Sequence, residues 1–386
     1  MARSIVHGIV LYAALLAFAW AGASGQAARK ERIRLVSADS LVSISQGDEN
    51  ITMLIGNVNL VQGQARIVCR TALFNDKSQY AELRNSVSIF DGKRTLTADT
   101  VFYNGSTRIE EAAGNVVLRT GTRVLRTPYL TYNQETMVAT VYEQVQIDDF
   151  IEGVTLWGVT GYYDRKNDYA RMWDGVELLK TDSAGTDSIL VKALLMEAWG
   201  GRQQVMLYDS VTIDRNRMHA VCTSALYSAE PPMLHLKGSP VVSIENQVLK
   251  GDTVSLHLNE LSFQGGMICG NARITVTDSL TGADDFMQGD TIYITAVNDT
   301  IQEVDIRSQA VSTYHVSEEE DEPGINTVSG DRIQLFFNDR QKLDRVRIAS
   351  SPGVCTGKYA PKQDRGAPGL TRKIAGQLKR KKPETQ

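Results

Sequence analysis

The chain has 386 residues, 42% of them hydrophobic and 22% charged, which is ordinary globular usage and supplies enough apolar material for a sizeable core. Its formal net charge of −4 lacks the basic excess of a phosphate-binding surface, so a nucleic-acid partner is not expected. Length alone suggests two domains, although a repeat architecture can run through as one continuous body.

At the N-terminus, Arg3 and His7 precede an apolar run from Ile9 to Trp20 and then the small residues Ala21, Gly22, Ala23, Ser24 and Gly25. That order is the signature of a cleaved secretory signal peptide, assigned here to residues 1–25. The apolar run is shorter than the ~20 residues that span a bilayer. Export is therefore expected, with a mature protein that is soluble.

From residue 26 onward the strongest signal is a repeat. An apolar pair follows turn-forming residues at Gly56-Asn57-Val58-Asn59-Leu60, Asn85-Ser86-Val87-Ser88-Ile89, Gly114-Asn115-Val116-Val117-Leu118 and Glu143-Gln144-Val145-Gln146-Ile147. The step from Val58 to Val87 to Val116 to Val145 is 29 residues each time. A second track, Asn75, Asn104 and Asn133, keeps the same step behind the apolar series Ala72, Val101 and Leu130. Two tracks in constant phase mark a stacked repeat architecture. The copies are clearest over 26–175 and continue in divergent form over 176–350, where Val176/Leu178, Val211/Ile213, Val242/Ile244 and Ala272/Ile274 keep the pair.

Within a unit the period is two, and the intervening residues are turn formers, so each unit reads as about three short antiparallel strands. The apolar stretch from Ile189 to Trp199 is expected as a divergent strand pair. Units of this size must stack to bury their apolar faces, which gives an elongated body with unpaired edge strands at its ends. An acidic loop at 317–324 interrupts the pattern, and residues 356–386, with Lys379, Arg380, Lys381 and Lys382 together, read as a basic, disordered tail.

Signs of catalysis are sparse. His219, His235, His257 and His315 are isolated, and no paired-histidine metal spacing, nucleophile elbow or phosphate loop occurs, so no metal site and no cofactor are expected. Cys69, Cys222, Cys269 and Cys355 lack C-x-x-C spacing and are expected as small unpaired hydrophobes. Asp148/Asp149 and Asp284/Asp285 are acid/base candidates, but neighbours in a strand point to opposite faces, and solvated loop positions are the preferred reading.

The segments Leu96-Thr97-Ala98-Asp99-Thr100-Val101-Phe102-Tyr103-Asn104 and Gly114-Asn115-Val116-Val117-Leu118 resemble the repeat of OstA-like, LptA-type lipopolysaccharide-transport proteins, from about Ala38-Asp39-Ser40-Leu41 to residue 350. The resemblance implies an all-β, elongated open β-jellyroll, or β-taco, built from stacked repeats of about 30 residues. It also implies a non-enzymatic periplasmic bridge that carries lipopolysaccharide toward the outer membrane. Acyl chains would lie in a groove lined by Val58, Leu60, Val87, Ile89, Val116, Leu118, Val145 and Ile147. Partners would be other transport proteins joined by end-strand pairing, and head-to-tail copies of the chain itself. Two other readings use the same residues: a β-repeat scaffold without lipid, and a β-helix carbohydrate-active enzyme.

Overall fold

The computed structural model describes residues 33–46, 49–182, 184–259, 262–277, 282–297, 299–316, 324–338, 343–351 and 355–361. The signal-peptide segment, most of the acidic loop and the tail beyond Pro361 lie outside them. The described residues contain no helix and form 24 strands, each antiparallel to its neighbours. The fold is an all-β elongated jellyroll.

One repeat is two long strands rather than about three short ones. The early strands are β1 (Arg34–Ser37), β2 (Ser40–Gln46), β3 (Glu49–Gln62), β4 (Ala65–Asn75), β5 (Tyr80–Phe90), β6 (Arg94–Asn104), β7 (Ile109–Thr120) and β8 (Arg123–Asn133). They continue as β9 (Val138–Asp149), β10 (Val154–Asp164), β11 (Tyr169–Thr181), β12 (Ser188–Trp199), β13 (Gln204–Arg215) and β14 (Met218–Ala229). The turn-like residues that suggested a strand break lie inside strands. Gly56 and Asn57 in β3 have φ of +74° and +46°, and Asn85/Ser86, Gly114/Asn115 and Glu143/Gln144 repeat that pair of left-handed residues. Pairing registers shift at each of these points, the mark of a β-bulge, which bends a strand without ending it. The stretch from Ile189 to Trp199 is likewise one strand, β12, hydrogen-bonded to β11 and β13.

Because each strand bends at the same level, the sheet folds along a spine into two walls. In β15 (Pro232–Lys237) with β16 (Val241–Ile244), and in β17 (Gln247–Lys250) with β18 (Thr253–Asn259), the bend interrupts the strand, and each half pairs with its own wall. Strands β19 (Ser262–Thr277), β20 (Asp284–Val297), β21 (Thr300–Val316) and β22 (Gly324–Phe337) then cross both walls again. The last described rung is β23 (Leu343–Ala349) with β24 (Thr356–Pro361), so the first six residues of the basic tail belong to the sheet.

The repeat motif has a physical explanation at the spine. Asn115 donates through Nδ2 to Asp99 Oδ2 at 2.9 Å, joining the aspartate of one strand to the bulge of the next. A Cβ on Gly114 would lie 2.3 Å from that same carboxylate oxygen, so a larger residue there would displace Asp99 as well as take on left-handed strain. Asp39 with Gly56-Asn57 repeats the arrangement, with Asn57 Nδ2 at 2.9 and 3.1 Å from the two carboxylate oxygens. The second track serves the hairpins: Asn75, Asn104 and Asn133 each accept two backbone N–H bonds from residues two and three further on. These are Asx turns, which free the strands from specifying their own reversal.

Candidate functional site: the apolar interior between the walls

Side chains of alternating parity face inward from both walls. On the wall after the bend, strand registers align Ile67, Ile89, Leu96, Leu118, Leu125, Ile147 and Leu156 in one unbroken row. The facing wall contributes Leu54, Ala72, Leu83, Val101, Ala112, Leu130 and Val141. All eight residues expected to line a groove lie in this interior on the first wall. Their exposures run from 0% for Val58 through 1% for Leu60, Val87, Val116, Leu118 and Val145 to 2% for Ile147 and 5% for Ile89. The walls are packed together, and a cavity between them near β3 to β8 holds about 20 Å³, room for about one water molecule.

Each strand's far end lies on one of two rims. No described backbone pairing joins rim to rim; adjacent turns stack along a rim instead, as in Gly105 N to Gln79 O and Gln134 N to Arg108 O. Side chains meet across the seam at Arg215 and Asp299, 3.6 Å apart. Ile33, at the start of the first described rung, lines the cavity together with Phe74 and Tyr103.

Sequence reasoning missed an ionisable member of this interior. Glu110 lines the cavity, is 6% exposed, and is bonded by the Gln134 amide. Its pairing partners on either side are Tyr103 and Tyr132. Burial pushes the Glu110 carboxyl up to about 8, against the opposing pull of the Gln134 hydrogen bond and the Arg94 charge. One repeat earlier and one later the same position holds Ala81 and Ala139. An in-phase comparison at the 29-residue step would have exposed Glu110 as the exception.

The acid/base candidates lie at strand ends rather than in loops; Asp148 and Asp149 are desolvated, whereas Asp284 is exposed and Asp285 partly so. Asp148 and Asp149 close strand β9 and are buried; Asp149 takes an ion pair from Arg123 at 2.7 Å and Asp148 one from Arg126. Desolvated carboxylates require such partners, which is why they sit at the strand end beside arginines. Asp284 accepts from Thr277 Oγ1 at 2.7 Å while Asp285 bonds His315 Nδ1 at 2.7 Å, each at the start of β20. Cys69 is buried and its thiol is pushed up to about 11 by burial; Cys355 is exposed.

The profile of the OstA-like protein family matches residues 30–187. This segment is an OstA-like domain. It takes in β1 to β11, and the bent rungs that follow extend the same construction beyond the match. Comparison with curated proteins gives no match. Among solved structures the chain is similar to LptH, described as the LptA-homologous periplasmic component of the lipopolysaccharide transport device of Pseudomonas aeruginosa. Identity is 12% over 38% of this chain and 82% of that chain, with a TM-score of 0.20.

Proposed function

We propose that the protein is a non-enzymatic periplasmic lipid carrier that holds lipopolysaccharide acyl chains between its two walls and passes them toward the outer membrane. The observation that carries this reading is an apolar interior that continues from Leu54 and Val58 in β3 to Ile333 and Leu335 in β22, between walls that no described backbone pairing joins at their rims. A sheet folded on a spine opens by separating side chains, without breaking its ladders. Each methylene transferred from water into such an interior gains about 0.8 kcal/mol. Similar rungs offer similar contact, so a chain can step along the interior with little net change in free energy. Unpaired rungs at the two ends would then dock other transport proteins or further copies. The OstA-like domain and the signal-type N-terminus support the envelope setting.

The tight packing of the walls favours a second reading, a filled-core scaffold that uses the same repeat without lipid. A photo-crosslinking residue at Val116 in the exported full-length protein separates the two. Lipopolysaccharide crosslinked from Val116, with none from the outward Asn115, is the result expected of a carrier. No crosslink from Val116, Val87 or Val145 in folded periplasmic protein would leave the scaffold.

A further inference from the structure

The outer face of the wall before the bend carries a feature that neither a lipid interior nor end docking uses. Register pairs align Tyr142, Thr160, Trp173, Leu195 and Tyr208 in a row across β9 to β13, next to the spine. Their strand neighbours Val141, Met172 and Leu207 are buried inside, so the row faces out. Tyr129 on β8 starts the row beside Tyr142, with ring centres 5.7 Å apart, and from Tyr142 onward the rings stand on every second strand, about 9.6 Å apart at ~4.8 Å per strand. That interval is close to the length of two linked pyranose rings in a straight chain.

Polar groups flank the row. In the adjacent row Arg171 Nε lies 4.0 Å from Glu197 Oε1, and the guanidinium sits 5.3 Å from the centre of the Trp173 ring. Tyr169 donates its hydroxyl to Glu197 at 2.5 Å and packs against Trp199 with ring centres 5.7 Å apart. The pair of Arg171 and Glu197 leaves no net charge between them, and Tyr142 in the row is exposed. Flat aromatic surfaces beside hydrogen-bonding groups, with the exposed carboxylate residues Glu143, Asp174 and Asp209 following the three rings, suit a ligand with apolar ring faces and hydroxyl edges rather than an anion.

We propose that this face binds a straight chain of uncharged β-1,4-linked pyranose rings, stacking on Tyr142, Trp173 and Tyr208 with its hydroxyl edge toward Arg171 and Glu197. Calorimetric titration of the mature full-length protein with chitohexaose and cellohexaose tests it. Saturable binding of either is expected, with the matching disaccharide at least about tenfold weaker because it spans a single ring position. Preference for chitohexaose would indicate an acetamido chain such as a cell-wall glycan, and preference for cellohexaose a plain glucan. Trp173→Ala should weaken the hexasaccharide about tenfold, the scale of one lost stacking contact. Trp173→Tyr should restore most of it, and Trp157→Ala, on the outer face of the opposite wall, should change nothing. If Trp173→Ala fails to fold, Tyr142→Ala and Tyr208→Ala replace it. The proposal is overturned if folded wild type binds neither hexasaccharide, if hexasaccharide and disaccharide bind alike, or if the ring variants bind as wild type does. It is equally overturned if they lose only self-association, which would make the face a contact between copies.

Discussion

At the scale of single residues, the repeat motif is a set of devices for bending a strand without losing its ladder. Gly114 combines φ of +74° with a position where a Cβ would overlap the Asp99 carboxylate. Gly114→Ala is therefore expected to destabilise the fold by about 1–3 kcal/mol, the usual cost of a forced left-handed residue, visible as a lower urea midpoint. Asn115→Ala loses a hydrogen bond and also holds an alanine in the left-handed region, and should cost about 1–3 kcal/mol in the same titration. Glu110 carries a pH signature. Its folded carboxyl titrates near 8, above its ordinary value of 4.5, so the unfolded chain releases this proton first. Stability from this group is complete below about 4.5 and drains away as pH rises to about 8. Glu110→Gln should remove that decline, leaving the variant more stable than wild type at pH 8 and similar at pH 4.5; urea midpoints across that window would show it. Equal pH slopes in the two proteins would mean that the carboxyl is not held neutral between the walls.

At the scale of elements, each strand has one inner face interrupted at the bend, and the apolar phase survives the bend in one strand of a repeat and slips in the other. In β5 the inner residues Leu83, Val87 and Ile89 keep one parity, whereas in β6 Leu96 and Ala98 are followed by Val101, so a simple count of two misses the continuation. This is why the strands were legible individually while their number per repeat was not. The end rung behaves differently from the interior ones. Strand β2 pairs with β3 alone among the described residues, and Leu41, Val42 and Ile44 on it are 55%, 43% and 53% exposed. An apolar strand with a free edge invites another strand. The full-length protein should grow in apparent mass with concentration in sedimentation velocity runs, and the double substitution Val42→Lys with Ile44→Lys should hold it monomeric. Unchanged growth in that variant would move the contact away from this end.

At the scale of the molecule, packing is nearly one-dimensional, because each rung touches chiefly the rungs on either side. Such a body has no single nucleus on which all of it depends. Residues 26–187, ending where β12 begins, should fold without the remainder and unfold cooperatively with a smaller urea dependence than the full chain; a chain lacking strand circular dichroism would show that the later rungs are needed. The 29-residue step, the strand parity, the inward positions Val58 to Ile147 and the Asx-turn asparagines were determined by sequence alone, because each follows from local chemistry repeated in phase. Tertiary structure decided the rest. Whether Gly114-Asn115 ends a strand or bends one depends on Asp99, fifteen residues away from Gly114 along the chain. Whether the apolar face forms a groove or a packed interior depends on a second wall, and the apposition of Glu110 with Gln134 or of Arg215 with Asp299 exists only once the sheet has folded on its spine.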